Sequence, residues 1–470
     1  MLFNTPLFIF IFLPIALLGY YLLNNLKKVL AAKIWLVLAS LFFYGYWNEN
    51  YLVLILTSII VNYGIASSLK IKGNKPVLIV GILFNIGLLF YYKYTDFIIE
   101  NINHIFNGNI AALNLLLPLA ISFFTFQQIA YLIDSYKGIV KEHGFVNYCL
   151  FVTFFPQLIA GPIVHHKAMM PQFSNTENQH IKYSNLAKGT YIFCLGLFKK
   201  IIVADSFAIW ANAGFSSSQA LTFWDAWGAS LSYTFQLYYD FSAYADMAIG
   251  CALLFNIQLP RNFNSPYKAL SIQDFWRRWH ITLSSWLRDY LYIPLGGNQK
   301  GMPRTYINLM ITFVLGGLWH GAAWTFVIWG SLHGLALIGH RIWQSAGFKL
   351  HKTAAWLLTF IFVNITWVFF RADNMEEALN IIYAMLGGNG FKFTNLLLIN
   401  PSLLDSNKPY IFLFITLFGL IAFYGKNTQQ LALVKDKYRA TDVALVTAIL
   451  YLAITYEIGT ASSQFLYFNF

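Results

Sequence analysis

Charged side chains are scarce in this sequence. Lys, Arg, Asp and Glu make up 11% of the 470 residues, whereas soluble domains carry about 25%. Apolar residues account for 58% and aromatic residues for 19% of the chain. This composition predicts a polytopic membrane protein. The net charge is +12, and the Lys and Arg residues that produce it lie between the apolar runs. This placement indicates membrane topology and not nucleic-acid binding.

Several catalytic signatures are also missing. The sequence has no G-x-S-x-G nucleophile elbow, no Walker A phosphate loop and no H-E-x-x-H metal motif. Its three cysteines, Cys149, Cys194 and Cys251, lie in apolar segments without a C-x-x-C pair, and are predicted to be packing residues. A hydrolase nucleophile and an ATP-driven pump are therefore unsupported. No metal site and no bound cofactor are expected.

Apolar runs predict one all-helical transmembrane domain over residues 1–470. The predicted spans are 7–23, 34–47, 51–69, 77–92, 111–133, 145–164, 186–203, 226–255, 307–319, 322–338, 354–370, 410–424 and 443–456. The first is interpreted as a retained helix, because it lacks the basic segment and cleavage site of a signal peptide. Lys27, Lys28 and Lys33 follow it, so its N-terminus is predicted to be extracytoplasmic.

The predicted span at 145–164 contains helix-breaking residues. Pro156, Gly161 and Pro162 all fall within the run FPQLIAGPIV. Broken helices at membrane depth are tolerated only where protein or water covers the freed backbone groups. We therefore expect re-entrant pieces around an internal cavity.

His320 lies in the motif GGLWHGAAW, in the middle of a run from Tyr306 to Ile338 without Lys, Arg, Asp or Glu. A helix that begins near Tyr306 would carry His320 roughly 21 Å into a hydrocarbon core of about 30 Å. Ionisable groups at such depth ask for a functional explanation. Burial favours neutral imidazole, which suits a general base. The alternative is a histidine that only hydrogen bonds between helices.

His280 lies in the motif FWRRWHITLSSWLRDY, where aromatic residues recur at steps of three and four. This spacing predicts one amphipathic helix at the cytoplasmic membrane surface, with His280 on the border between its two faces. Arg277 and Arg278 belong to a basic cluster that extends from Arg261 to Arg304. Such a cluster suits the phosphates of a coenzyme A thioester. Alternatively, it only fixes topology and contacts anionic lipid.

Two acids fall in the apolar stretch QLYYDFSAYADMAIG. Asp240 with Tyr244, and Ser242 with Asp246, are each four residues apart and so share a helix face. They are candidates for substrate binding. A structural role, in which the two acids cap and hold a broken helix, is favoured over a catalytic role.

Five stretches in order resemble the membrane-bound O-acyltransferase family, in its bacterial branch that acetylates alginate and peptidoglycan. They are ISFFTFQQIAYLIDSYKG from Ile121, FFPQLIAGPIV from Phe154, YYDFSAYADMAIG from Tyr238, FWRRWHITLSSWLRDYLYIPLGG from Phe275 and GGLWHGAAWTFVIWGSLHG from Gly316. The resemblance covers about residues 117–371. It implies a ring of transmembrane and re-entrant helices around a central funnel, with His320 as the active-site histidine and His280 as the second one.

The resemblance also implies the reaction. Such proteins take an acyl group from a cytoplasmic thioester donor, here expected to be acetyl-CoA, and work with a periplasmic SGNH-type partner. We expect an O-acetyltransferase of the inner membrane that modifies an extracytoplasmic polysaccharide. His320 would be the general base on the acceptor hydroxyl, which is that of a sugar or of a serine of the partner. His280 would position the thioester or stabilise developing charge. Trp279, Trp319 and the two arginines Arg277 and Arg278 are expected near the substrates. Alternatives are D-alanylation of teichoic acid and a flippase that breaks no bond.

Overall fold

The structure is a computed structural model. It describes residues 1–394, 398–399, 410–433, 438–459 and 464–466. The described residues form helices and no strand, as expected for the all-helical class. Their contacts group them into two units, and the expectation of a single domain stays a prediction. The first unit contains residues 1–197, 244–261 and the described part of 435–469, and the second contains 198–243 and the described part of 262–434.

The first unit begins with a π-helical turn, Leu7–Phe12. Its helices are α1 (Leu13–Asn25), α2 (Val29–Gly45), α3 (Asn50–Lys72), α4 (Lys75–Lys93), α5 (Thr95–Phe106), α6 (Ile121–Tyr136), α7 (Phe145–Thr153), α8 (Phe155–Leu158), α9 (His166–Ser174), α10 (Tyr183–Phe198) and a last helix, Ala440–Gly459. Amide side chains tie these helices together: Gln127 Nε2 donates to Gln157 Oε1 at 2.9 Å. Gln128 Nε2 donates to Ser58 Oγ at 2.7 Å. All three cysteines are buried and reduced, as predicted for packing residues.

The second unit begins with another π-helical turn, Lys199–Ala204. Its helices are α11 (Asp205–Phe215), α12 (Phe223–Leu254, of which 244–254 belong to the first unit), α13 (Ile272–Trp276), α14 (Ile281–Leu287), α15 (Gly301–His320), α16 (Trp324–Ser345), α17 (Lys352–Arg371), α18 (Met375–Met385), α19 (Tyr410–Tyr424) and α20 (Thr428–Leu433). A further π-helical turn, Arg288–Tyr292, follows α14.

Several helices are long and apolar enough to cross a membrane. Four meet both criteria: Leu7–Asn25, Asn50–Lys70, Lys75–Lys93 and Lys352–Arg371. Three shorter apolar helices, Val29–Gly45, Tyr410–Tyr424 and Ala440–Thr455, are also present in the described part of the chain. The prediction of several membrane-spanning helices is therefore confirmed for the four longer helices.

Three predicted spans differ from the structure. The span at 111–133 is wrong in its first half, because Pro118 lacks a backbone donor and Ala120 has a left-handed φ of 63°; helix starts only at Ile121. The span at 145–164 is broken at Phe154, as expected from its prolines. The span at 186–203 ends its regular helix at Phe198 and continues as a π-helical turn.

Helix α12 contradicts the interpretation of Asp240 and Asp246 as holding a broken helix. It runs without interruption for 32 residues, about 48 Å at 1.5 Å per residue. No glycine or proline lies near Asp240 to disturb the backbone hydrogen bonds. The two acids therefore require another explanation.

Candidate active site

His320 is the last residue of α15 and lies at a tight helix–helix contact. A Cβ on Gly317 would lie 2.3 Å from the carbonyl oxygen of Phe326, and one on Gly330 would lie 2.3 Å from that of Phe313. Only glycine permits this backbone approach between α15 and α16. Gly321 then leaves the helix in an extended conformation with φ −160°. This close approach of the two helices lies beside His320, which is 3% exposed.

His280 does not lie on a continuous amphipathic helix, so that prediction is wrong. α13 ends at Trp276, and α14 begins only at Ile281. His280 stands between them with a left-handed φ of 42°, a conformation that costs a non-glycine residue free energy. This left-handed backbone turns the side chain of His280 inward. The imidazole has 0% exposure, which also contradicts its predicted position at the border of two faces.

An amide orients the His280 ring. Asn262 Oδ1 lies 3.1 Å from His280 Nδ1 and accepts from the backbone N–H of Thr282 at 3.3 Å. Because a backbone N–H can only donate, the Asn262 atom is the carbonyl oxygen, which can only accept. His280 Nδ1 therefore carries the proton and Nε2 carries the lone pair. Asn262 was not among the predicted site residues; its position in the segment RNFNSP, before the histidine motif, is the available signal.

The two histidines are neighbours. Their ring centroids are 6.5 Å apart with an interplanar angle of 60°. The sequence interpretation placed His280 near the cytoplasmic surface and His320 deep in the membrane, and this separation is wrong. The fold turns His280 inward until both imidazoles belong to one site in the second unit.

Aromatic rings form the wall of this site. Trp319 bridges the pair, at 4.9 Å from the His320 centroid and 6.2 Å from the His280 centroid. Phe241 meets His280 edge-on at 4.8 Å. Trp329 and Phe370 meet His320 at 5.2 and 5.1 Å. Apolar walls of this kind exclude water and strengthen electrostatic interactions inside.

The second predicted substrate-binding tryptophan has other neighbours. Trp279 lies parallel to Phe275, with centroids 5.7 Å apart and a 16° interplanar angle. Its ring is 5.0 Å from Trp367 and 5.1 Å from Phe263. These contacts place Trp279 in the packed aromatic layer beside the site. Of the two tryptophans, it is Trp319 whose ring contacts both histidine rings.

The two arginines beside His280 have different surroundings. Arg277 is exposed, as a donor-binding cation needs to be. Arg278 is half-buried; its Nε donates to Asp274 Oδ1 at 2.8 Å and its Nη1 to the carbonyl of Asn264 at 3.3 Å. Arg278 therefore holds the loop that carries His280.

Asp240 belongs to a buried ion cluster. Lys200 Nζ lies 2.8 Å from Asp240 Oδ1 and 2.9 Å from Asp205 Oδ1, and all three side chains are buried. The π-helical turn at Lys199–Ala204 brings Lys200 onto this face. Phe241, the next residue after Asp240, contacts His280, so the cluster supports one wall of the site. Asp246 is buried as well, but it belongs to the first unit.

A further buried histidine of the second unit, His333, was not among the predicted site residues. His333 Nδ1 accepts from Trp276 Nε1 at 3.2 Å, so its proton is on Nε2, which donates to Thr366 Oγ1 at 3.1 Å. The Thr366 hydroxyl donates in turn to the carbonyl of Val363 at 2.8 Å. Both ring nitrogens of His333 are thus used in joining α13, α16 and α17. Its place in GGLWHGAAWTFVIWGSLHG was the available signal.

Fold and site together define a helical, polytopic membrane protein with a buried, aromatic-walled histidine pair. The family model for the membrane-bound O-acyltransferase family matches residues 133–375, which include every member of the site. The chain belongs to this family.

Three relatives show which members of the family this chain is similar to. A peptidoglycan O-acetyltransferase of Helicobacter pylori is 48% identical over 100% of this chain and 98% of its own length. A probable alginate O-acetylase, AlgI, of Pseudomonas aeruginosa is 38% identical over 92% of this chain and 84% of its own. A teichoic acid D-alanyltransferase of Bacillus subtilis is 28% identical over 52% of this chain and 63% of its own.

Proposed function

We propose that the chain is an inner-membrane O-acetyltransferase that takes acetyl from a cytoplasmic thioester, acetyl-CoA, and passes it on for O-acetylation of an extracytoplasmic polysaccharide. The observation that carries the proposal is the pair His280–His320, with ring centroids 6.5 Å apart. Two imidazoles at this separation can act on one acyl transfer. The peptidoglycan and alginate names of the relatives support the polysaccharide class.

His320 is proposed as the general base. It removes the proton of the acceptor hydroxyl while the hydroxyl oxygen attacks the thioester carbonyl carbon. The carbon–sulfur bond then breaks, the imidazolium returns the proton to the thiolate, and ester and free thiol leave. His320 ends the 20-residue helix α15, and the negative end of a helix dipole stabilises the imidazolium that forms. General base catalysis of this kind contributes about 10²–10⁴-fold.

His280 is proposed as the positioning partner. With the proton held on Nδ1 by Asn262, Nε2 presents an acceptor to the reacting groups. Because the reacting hydroxyl gives its only proton to His320, this lone pair suits a neighbouring O–H or N–H donor of the bound substrates. Stabilising negative charge on the thioester oxygen would instead need a proton on Nε2. Of the two roles expected for His280, positioning the thioester and stabilising developing charge, this tautomer disfavours the second.

The donor is proposed to enter beside Arg277. The exposed guanidinium lies three residues before His280 and matches the phosphates of coenzyme A. Arg278 supports the same loop through Asp274. A periplasmic SGNH-type partner is proposed to finish the transfer, and the N-terminus is proposed to be extracytoplasmic.

The decisive experiment uses purified full-length protein in nanodiscs with radiolabelled acetyl-CoA. Wild-type protein should release free thiol and pass label to an added acceptor. His320→Ala should lower the rate about 10²–10⁴-fold, whereas His104→Ala, at an exposed histidine, should not. A rate unchanged in folded His320→Ala would end this mechanism.

Two alternatives predict different results. D-alanyl transfer is favoured by the relatives of Bacillus subtilis and Streptococcus thermophilus, which match about half of this chain at 28% and 27% identity. It would require a D-alanyl thioester as the donor and no turnover of acetyl-CoA. A flippase for an acylated carrier would move label without release of thiol.

A further inference from the structure

The proposed transfer restricts where the acyl group of the donor can lie. If His320 is the base, the acceptor hydroxyl lies about 2.6–3.2 Å from its ring nitrogen. The thioester carbonyl carbon then lies about 3–3.5 Å from the hydroxyl oxygen at the moment of attack. The acyl group is therefore held beside the pair His280–His320, against the rings that surround it.

Trp319 borders both histidines. The centroid of its ring is 4.9 Å from that of His320 and 6.2 Å from that of His280, and the two histidine centroids are 6.5 Å apart. The side chain is 4% exposed, so the indole faces the interior of the second unit. An acyl chain held beside both histidines therefore contacts the indole of Trp319.

A second layer of rings supports the wall of the site. Trp329 and Phe370, which both contact His320, lie 5.1 Å from each other. Behind them, Trp367 stacks on Trp329 at 5.7 Å and meets Phe370 edge-on at 5.2 Å. Trp329 is 2% exposed and Trp367 is 1% exposed. Close-packed interiors give way little to additional methylene groups, so a longer acyl chain cannot make room by displacing this wall.

The backbone below Trp319 is also fixed. Gly317 lies two residues earlier, where α15 touches α16, and a Cβ at this position would lie 2.3 Å from the carbonyl oxygen of Phe326. This contact holds the last turn of α15 against α16. The volume of the side chain at position 319 then decides how much space remains beside the histidines.

We propose that Trp319 determines the acyl specificity of this chain and limits the acyl group to two carbons. Each further methylene of the donor would overlap an indole that is held in place by its surroundings. The inference rests on the proposed function for the reaction, and adds the length of the acyl group and the residue that sets it. An alanyl group has three carbons, so the same limit disfavours D-alanyl transfer.

The test compares acetyl-CoA, propionyl-CoA and butyryl-CoA as donors. Full-length protein in nanodiscs receives each donor with N-acetylserinamide as the acceptor, and thiol release gives kcat/KM. One methylene in an apolar site changes kcat/KM by about 10–200-fold, so wild-type protein should prefer acetyl-CoA over propionyl-CoA at least about tenfold. Trp319→Leu should reduce this preference at least about tenfold and should turn over butyryl-CoA faster than wild type. Trp319→Phe should lie between the two.

Trp279→Leu is the matched control. Trp279 is 2% exposed, and its ring packs 5.0 Å from Trp367 in the layer beside the site. The same substitution there should lower stability and keep the acyl preference of wild type, because the acyl group does not reach this ring. The ratio of kcat/KM values within one preparation does not depend on the fraction of protein that is folded.

Equal kcat/KM for acetyl-CoA and propionyl-CoA in wild type would overturn the proposal and leave the acetyltransferase. A preference that stays unchanged in both Trp319→Leu and Trp319→Phe would overturn it as well. So would a preference that Trp279→Leu relaxes as much as Trp319→Leu does. Absence of thiol release from all three donors in wild type would remove the proposed function itself, and this inference with it.

Discussion

His280 and His333 are both fully buried in the second unit, yet their surroundings differ. Both ring nitrogens of His333 form hydrogen bonds within the protein: Nδ1 accepts from Trp276 and Nε2 donates to Thr366. His280 has its Nδ1 held by Asn262 and faces His320 across 6.5 Å. The two rings also carry their protons on opposite nitrogens. Because both side chains are equally buried, burial does not distinguish them. Their hydrogen-bond partners show which histidine joins helices and which serves the proposed chemistry.

The largest expected effect distinguishes these histidines by activity. In protein that remains folded, His320→Ala should lower acetyl transfer by about 10²–10⁴-fold as the lost general base, and His280→Ala by about 10²-fold through lost positioning. His333→Gln should retain most activity, because an amide can accept from Trp276 and donate to Thr366. Initial rates of thiol release, normalised to monodisperse protein, check this. Equal losses of activity in all three variants would contradict the distinction between His333, which joins helices, and the pair His280–His320.

Lys200 extends the comparison to buried charge. Lys200→Met leaves Asp205 and Asp240 buried without their shared cation, and should destabilise the protein by about 3–5 kcal/mol. Thermal unfolding in detergent measures the loss. The triple variant Lys200→Met, Asp205→Asn, Asp240→Asn removes the charges together and should recover most of it. No recovery would show that the cluster acts through more than its charge balance.

His333→Ala tests whether the hydrogen bonds of His333 stabilise the fold. It removes the acceptor of the buried Trp276 N–H, and an unsatisfied buried donor costs about 1–3 kcal/mol. The unfolding midpoint should fall accordingly, and His333→Gln should restore part of it. An unchanged midpoint in His333→Ala would mean that the hydrogen bonds joining α13, α16 and α17 contribute little.

The smallest expected effect concerns Arg277. Because its side chain is exposed, Arg277→Gln should raise KM for acetyl-CoA only by a few fold and leave kcat unchanged. The difference should shrink as ionic strength rises. Arg278→Gln should instead lower stability, since Arg278 is tied to Asp274 and Asn264. A kcat effect at Arg277 would place this residue in the chemistry.

Local sequence patterns predicted the helices best where periodicity and length agree. The apolar run at 226–255 gave the bounds of α12 closely, although the interpretation of Asp240 and Asp246 as holding a broken helix was wrong. The patterns failed at Ala120 and His280, where left-handed backbone ends or interrupts an apolar run. Spacing at steps of three and four continues through His280, and nothing in that spacing reveals the reversal.

The sequence by itself determined the membrane class and the acyltransferase family and named both histidines as candidates, because composition and ordered motifs are local properties. Only the tertiary structure decided that His280 and His320 share one site, that Asn262 sets the His280 proton, and that Lys200 neutralises Asp240. These relations join residues distant in the chain. They depend on a left-handed residue, a glycine contact and a π-helical turn, which direct side chains by backbone geometry that residue spacing does not encode.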